Sequence, residues 1–202
     1  MKAKEILFLA LPIVLWVLVF IVFKAYLVYA MVIATAILAA LSLKLHRKEI
    51  HWVRSLRDKR VLITIGAATA VALYFAFFAG NLLSDRLGLG SDVSAAYFSI
   101  YGGISLIPLV VSLILIGIFE EIYWRGALMG ALEKRKGIRK YSWLIAAGYY
   151  TSVHVASLNP IIVIAALVIG FAASAVAYKF GVLSSIVMHI VWIEAVTVVF
   201  PL

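Results

Sequence analysis

Long apolar runs separated by short polar segments make up most of this chain. Each run is close to or above the length of about 18 residues that crosses a bilayer, so the pattern predicts about seven membrane-spanning helices. The predicted ranges are 6–23, 26–43, 61–83, 104–132, 141–158, 161–178 and 181–199. No stretch has the composition of a linker. The chain is therefore expected to form one all-α, polytopic transmembrane helical bundle over residues 1–202.

The segments between the runs predict turns and one further element. Ser84–Ala95 is polar and contains glycine, which favours a loop, and Ala96–Gly103 is expected to be an interfacial helix or a re-entrant piece. Asn159-Pro160 predicts a tight turn, and Gly181 marks another turn just after Lys179. The first run is too long for a typical signal-peptide core and no convincing cleavage site follows it, so an uncleaved first helix is expected.

Composition excludes several classes of protein. The chain is 66% hydrophobic with a mean hydropathy of +1.14, which is incompatible with an ordinary water-soluble globule. It has no cysteine, so disulfides, thiolate chemistry and cysteine-bound zinc are excluded. The net charge of +9 would suit a nucleic-acid-binding protein, but the basic residues lie in short loops beside apolar runs. That distribution indicates a membrane protein that contacts lipid headgroups and binds no nucleic acid.

The basic residues also predict the orientation of the bundle. With seven spans and a cytoplasmic N-terminus, fifteen basic residues fall on the cytoplasmic side and two on the other. The fifteen are Lys2, Lys4, seven between Lys44 and Arg60, five between Lys134 and Lys140, and Lys179; the two are Lys24 and Arg86.

The basic segment 46–60 contains a second pattern. Ile50, Val53 and Leu56 recur at helical spacing near Trp52, which favours a short amphipathic helix on the cytoplasmic leaflet. A solvated basic loop is the alternative.

Ionisable side chains interrupt three of the predicted spans, where such groups are costly and usually mark a functional site. Glu120 lies thirteen residues before Glu133, roughly 20 Å from the cytoplasmic end at about 1.5 Å per residue. His154 is expected at a similar depth, and His189 roughly 12 Å from that end. Three helices thus bring titratable groups into one layer of the membrane, which indicates proton-transfer or metal chemistry.

Helical spacing separates the two glutamates. Glu121 and Arg125 are four residues apart on one face and are expected to neutralise each other. Glu120 is rotated by about 100° from that pair and is left free to act as a general base. His154 and His189 could orient a water, donate a proton or stabilise an oxyanion.

These residues resemble the motifs of a known family. Glu120-Glu121-x-x-x-Arg125, Tyr150-x-x-x-His154 and His189, in that order on successive helices, resemble the three motifs of the CPBP family. That family comprises type II CAAX prenyl endopeptidases, bacteriocin-processing (ABI) proteins and lysostaphin-resistance-protein-A-like proteins. The resemblance covers residues 103–200, and the first motif is the most specific of the three.

The resemblance implies an intramembrane endopeptidase that cleaves prenylated CAAX tails or other membrane-anchored peptides, with its site opening toward the cytoplasm. Glu120 and His154 would activate the attacking water, and His189 would help to hold the oxyanion. Glu121 and Arg125 would support the site. The family mechanism implied is a glutamate mechanism without a metal or other cofactor.

One position departs from the family pattern. Four residues after His189, where the third motif has Asn or Asp, this chain has Ile193. The adjacent Glu194 is rotated by about 140° from His189 on an ideal helix. Ser185, one turn before His189, is a possible substitute oxyanion donor. Tyr150 and Trp192 are further candidates for the substrate groove.

Two alternatives remain open from the sequence. Glu120, His154 and His189 could bind a catalytic zinc ion, although the chain has no His-Glu-x-x-His helix. Alternatively, Ile193 could mark a weak or inactive family member that serves as a membrane scaffold, an immunity factor or a proton-linked carrier. Gly126-x-x-x-Gly130 permits close helix packing within one bundle, so no oligomer is inferred.

Overall fold

The computed structural model describes residues 3–55 and 58–202, and within them every regular element is a helix. Lys2 and Arg57, which enter the charge count, and Leu56, which enters the amphipathic pattern, lie outside the described residues. The α-helices are α1 (Ala3–Val17), α2 (Leu27–Leu45), α3 (Lys59–Ser84), α4 (Gly90–Tyr101), α5 (Leu106–Glu121), α6 (Met129–Glu133), α7 (Ser142–His154), α8 (Pro160–Phe180) and α9 (Val182–Glu194).

Three π-helical segments extend these helices. Leu18–Val22 continues α1, Ile122–Leu128 joins α5 to α6, and Ala195–Val199 continues α9. A π segment widens the helix locally and is often found at functional sites. The segment Ile122–Leu128 begins immediately after the glutamate pair.

The polytopic all-α bundle predicted from the sequence is confirmed. In the described part of the chain, six helical stretches are long and apolar enough to cross a membrane. They are Lys4–Val22, Lys24–Leu45, Lys59–Ser84, Leu106–Glu133, Pro160–Phe180 and Val182–Val199.

The remaining predicted span, 141–158, is helical but shorter. Helix α7 has 13 residues and is followed by a 3-residue 3₁₀ turn, Val155–Ser157. At its far end the Asn159 side chain donates to the Asp92 carbonyl at 2.8 Å and caps α8 by accepting from Ile161 and Ile162 N–H. The predicted turn at Asn159-Pro160 is therefore present.

The predicted loop Ser84–Ala95 is only partly a loop, because α4 begins at Gly90. Helix α4 has 12 residues, fewer than a membrane span needs, which agrees with the short element expected near 96–103. Two of its tyrosines donate to carbonyls in the π segment after α9: Tyr97 to Val196 at 2.7 Å, and Tyr101 to Thr197. These bonds satisfy backbone groups in the widened part of the helix.

Two backbone carbonyls on one turn of helix α1 accept hydrogen bonds from the core of the bundle. Pro12 has no N–H, so the Phe8 carbonyl four residues earlier loses its helical donor. The Tyr123 hydroxyl donates to that carbonyl at 2.7 Å, and the Tyr149 hydroxyl donates to the Leu9 carbonyl. A bilayer offers no water to an unpaired carbonyl, so these bonds stabilise α1 against the bundle.

The described part of the basic segment, 46–55, is not the predicted amphipathic helix. It contains one 3₁₀ turn, Arg47–Glu49, and then an extended stretch whose backbone pairs with the start of α9. The His51 carbonyl accepts from Val182 N–H at 3.0 Å and the Trp52 carbonyl from Leu183 N–H at 3.1 Å. The first N–H groups of a helix have no intrahelical partner. The segment is extended rather than helical here because its carbonyls accept from the free N–H groups at the start of α9.

Two ion pairs hold this segment against the end of α6. Lys134 Nζ lies 2.5 Å from Glu49 Oε1, and Arg54 Nη2 lies 2.7 Å from Glu133 Oε1. Partial burial acts to raise the pKa of Glu49, but the hydrogen bond and charge of Lys134 hold that pKa below its ordinary value. The basic segment is thus a docked loop rather than a fully solvated one.

Gly181 allows this loop to approach α9. Its φ is +106°, and a Cβ on it would lie 2.6 Å from the Trp52 carbonyl oxygen. Gly181→Ala is expected to lower the free energy of unfolding by about 1–3 kcal/mol, through backbone strain and this clash. Thermal unfolding in detergent measures the effect. Gly148→Ala is the control, since no heavy atom lies within 4 Å of its added methyl; equal melting temperatures for the two variants would contradict the prediction.

Candidate active site

The glutamate pair lies at the point where α5 passes into its π segment, deep in the bundle. Glu120 is 3% exposed and Glu121 is fully buried. Helix α9 lies against this part of α5, because a Cβ on Gly117 would be only 3.0 Å from the Ile190 side chain. The close approach brings His189, the neighbour of Ile190, to the two carboxylates.

Arg125 anchors Glu121. Its Nη1 donates to Glu121 Oε1 at 3.0 Å, and both side chains are excluded from solvent, so the predicted pair is present. Arg125 Nη2 lies 3.3 Å from the Gly170 carbonyl on α8, and the guanidinium lies over the Tyr150 ring, 4.4 Å from its centroid. One cation therefore connects α5, α7 and α8 around the carboxylates.

His189 lies between the two glutamates. Its Nδ1 is 2.9 Å from Glu121 Oε1, which as a carboxylate oxygen accepts the Nδ1–H. Its Nε2 is 3.9 Å from Glu120 Oε2. Glu121 thus fixes the orientation of the imidazole, and the other ring nitrogen faces Glu120.

Glu120 is free of Arg125, as the helical spacing predicted. Its Oε2 accepts a hydrogen bond from the Tyr150 hydroxyl at 3.0 Å. Tyr150 is itself buried on α7, with its ring in contact with the guanidinium of Arg125. The carboxylate therefore has one neutral donor and one imidazole beside it, which is a suitable environment for a general base.

His154 is oriented differently from the expectation. Its Nδ1 lies 2.7 Å from the Tyr150 carbonyl, and its Nε2 lies 3.2 Å from the indole Nε1 of Trp16 on α1. No hydrogen bond or ion pair joins His154 to Glu120, both of which belong to the described residues. The two residues are connected through Tyr150, whose hydroxyl contacts Glu120 and whose carbonyl contacts His154.

An apolar cavity of about 430 Å³ ends at these residues. Glu120, Tyr150, His154 and His189 contribute its polar wall, and Trp192 and Ile193 also line it. The remaining lining is mostly aliphatic and aromatic. A cavity of this size with a few convergent polar groups is typical of a small-molecule or side-chain binding site.

Two of the candidate residues are not part of this wall. Ser185 is fully buried, and its hydroxyl donates to the Val182 carbonyl at 3.0 Å on the Glu121 side of α9. Glu194 is half-buried and also does not line the cavity. The role of Ser185 as a substitute oxyanion donor stays a prediction, as does any part of Glu194 in the oxyanion site or substrate groove.

The cavity extends away from the basic loops. Its lining comes from the end of α3 near Asn81, from α4, from the start of α8 near Ile161 and from the end of α9. Several lining residues on this side are exposed, including Leu87 and Ile164. This lining does not show an opening toward the cytoplasm, which stays a prediction.

The side chains present do not form the alternative zinc site. Zinc needs a free nitrogen from each histidine ligand. Both ring nitrogens of His154 already have partners on α1 and α7. Within residues 3–55 and 58–202, no group of three His, Asp or Glu side chains is arranged to hold a metal ion.

The sequence offered no signal for Trp16 as a neighbour of the site. It is one apolar residue in a long apolar run, 138 positions away from His154. Tyr150, by contrast, was recognisable from its spacing to His154.

Comparison with protein-family models finds a match. A family model described as type II CAAX prenyl endopeptidase Rce1-like matches residues 102–193. That segment contains Glu120, Glu121, Arg125, His154 and His189. No curated protein and no solved structure matches the chain.

Proposed function

We propose that this chain is an intramembrane endopeptidase, on the premise that its segment 102–193 matches the family model of Rce1-like type II CAAX prenyl endopeptidases. The observation that carries the proposal is the environment of Glu120. Its buried carboxylate, free of the arginine and beside Tyr150 and His189, ends a 430 Å³ apolar cavity.

Glu120 is proposed to accept a proton from a water molecule as the water oxygen attacks the substrate carbonyl carbon. Collapse of the tetrahedral intermediate then breaks the C–N bond, and the proton passes to the leaving amine. His189, held through Nδ1 by Glu121, directs Nε2 toward the same place. In its protonated form, Nε2–H is the proposed donor to the oxyanion.

The aliphatic lining of the cavity favours a substrate with a large apolar part, either a prenylated CAAX tail or another membrane-anchored peptide. Helices α3 and α8 both pack on α9, and both contribute residues to the cavity lining, including the exposed Ile164 of α8. We propose that the apolar part of the substrate enters from the lipid between them.

A direct assay tests the activity. Detergent-purified protein is incubated with a prenylated CAAX peptide and, as a matched control, with the same peptide lacking the prenyl group. Release of the C-terminal tripeptide from the prenylated peptide alone is expected. Cleavage of neither peptide would count against the CAAX substrate, and cleavage of both equally would count against a role for the lipid.

The residue at position 193 is expected to affect the catalytic rate. Its side chain lines the cavity where the family has Asn or Asp, and it offers no hydrogen-bond donor. Adding one oxyanion donor is expected to raise kcat, because losing such a donor costs about 10²–10³-fold elsewhere. Ile193→Asn should therefore raise kcat by about tenfold or more, whereas the control Ile193→Leu should not. No gain in the asparagine variant would show that oxyanion stabilisation here does not use this position.

A further inference from the structure

Trp16 of helix α1 makes the hydrogen bond that completes the surroundings of His154. It is fully buried, and its Nε1 lies 3.2 Å from His154 Nε2. The two rings also meet edge-on, with centroids 5.5 Å apart. Helix α1 lies outside the matched segment 102–193, so this contact comes from a part of the chain with no assigned role.

The chemistry of the two partners determines the state of His154. An indole N–H can only donate and a backbone carbonyl can only accept. His154 must therefore accept at Nε2 from Trp16 and donate its Nδ1 proton to the Tyr150 carbonyl, 2.7 Å away. The ring is neutral and is held as the Nδ1–H tautomer.

Three hydrogen bonds link Trp16, His154, Tyr150 and Glu120 in that order. The Trp16 N–H donates to His154, the His154 N–H donates to the Tyr150 carbonyl, and the Tyr150 hydroxyl donates to Glu120 Oε2. The rings of His154 and Tyr150 are also in contact, with centroids 4.4 Å apart. The imidazole of His154 thus packs against the ring whose hydroxyl donates to Glu120.

We propose that Trp16 is a positioning residue for the active site, which fixes the tautomer and orientation of His154 and, through Tyr150, the placement of Glu120. The kinetic part of this proposal rests on the proposed endopeptidase activity. The structural part concerns only the hydrogen bond between Trp16 and His154.

Trp124 provides a matched control. It is equally buried and packs edge-on against Trp16 with centroids 5.7 Å apart. Among the described residues, its indole N–H has no hydrogen-bond partner, and its side chain does not line the cavity. Trp16→Phe and Trp124→Phe thus remove the same atoms from one aromatic cluster, but only the first removes a hydrogen bond to His154.

The test combines nuclear magnetic resonance with kinetics. Protein labelled with ¹⁵N-histidine should show His154, assigned by its loss in His154→Asn, protonated on Nδ1 and unprotonated on Nε2. Trp16→Phe should shift the ring resonances of His154 toward a mixture of tautomers and leave KM within about twofold. It should lower kcat about tenfold, the size expected for one buried hydrogen bond. Trp124→Phe should change neither the resonances nor kcat.

Wild-type His154 protonated on Nε2 would overturn the proposal, and this measurement does not require the variant to fold. Trp16→Phe with wild-type or higher kcat would also overturn it, as would equal losses in both tryptophan variants with unchanged His154 resonances. A wild-type protein that cleaves no substrate would refute the endopeptidase activity, while the resonances would still decide whether Trp16 fixes His154.

Discussion

Replacing Glu120 with glutamine is expected to lower the rate of peptide cleavage by about 10³-fold or more, because the amide cannot take a proton from water. The substitution preserves the shape of the side chain. Its amide oxygen can still accept the hydrogen bond that the Tyr150 hydroxyl now donates at 3.0 Å. The bundle should therefore fold normally, and the loss should appear in kcat with little change in KM. Initial rates of tripeptide release over a range of substrate concentrations measure both quantities.

Glu133→Gln is the control for this experiment. Glu133 lies at the end of the same membrane-spanning stretch but pairs with Arg54 at the basic end of the bundle. Its replacement should leave kcat within about twofold, since it alters a polar contact remote from the cavity. If Glu120→Gln kept wild-type kcat, Glu120 could not be the general base, and the mechanism proposed for this site would be wrong.

Arg125→Met is expected to lower the free energy of unfolding by about 3–5 kcal/mol, the usual cost of leaving one member of a buried ion pair unpaired. Glu121 and Arg125 are both excluded from solvent, so no water can replace the lost guanidinium. The variant would also lose the contacts of Arg125 with the Gly170 carbonyl and the Tyr150 ring. Equilibrium unfolding in mixed detergent micelles measures the change.

The double variant Glu121→Gln/Arg125→Met separates charge from packing. Removing the carboxylate as well as the guanidinium leaves no buried charge unpaired, and the amide oxygen of the introduced glutamine can still accept from His189 Nδ1–H. The double variant should therefore be more stable than Arg125→Met alone. If the free energy of unfolding of Arg125→Met lay within about 1 kcal/mol of the wild-type value, the pair would not be needed for the fold.

The helices of this protein could be predicted from the sequence because a bilayer imposes a simple requirement. An apolar run must be long enough to cross it and must satisfy its own backbone groups, which only a helix does here. Helix α7 fell short of that length because its helical stretch ends at Ser157, before Leu158 with its left-handed φ of 53°. The start of α4 was missed because Gly90, Ser91 and Asp92 have the composition of a loop.

The site was predictable where its contacts are local. Glu121 and Arg125 pair across one helical turn, so their spacing alone indicated the contact. The partners of His154 and His189 were not local. His189 contacts Glu121 across 68 positions, and Trp16 contacts His154 across 138. A single sequence does not reveal which side of an apolar helix faces which neighbour, so the partners of the two histidines could not be predicted in advance.

The carbonyl left without a helical donor by Pro12 has a consequence for biogenesis. Its partner, the Tyr123 hydroxyl, belongs to a part of the chain synthesised 115 residues later. The Leu9 carbonyl accepts from the Tyr149 hydroxyl, which is synthesised later still. Helix α1 is thus synthesised well before the side chain that pairs with its Phe8 carbonyl. Until Tyr123 is in place, the Phe8 carbonyl lacks the partner that it has in the folded bundle. Final docking of this helix is accordingly a late step of assembly.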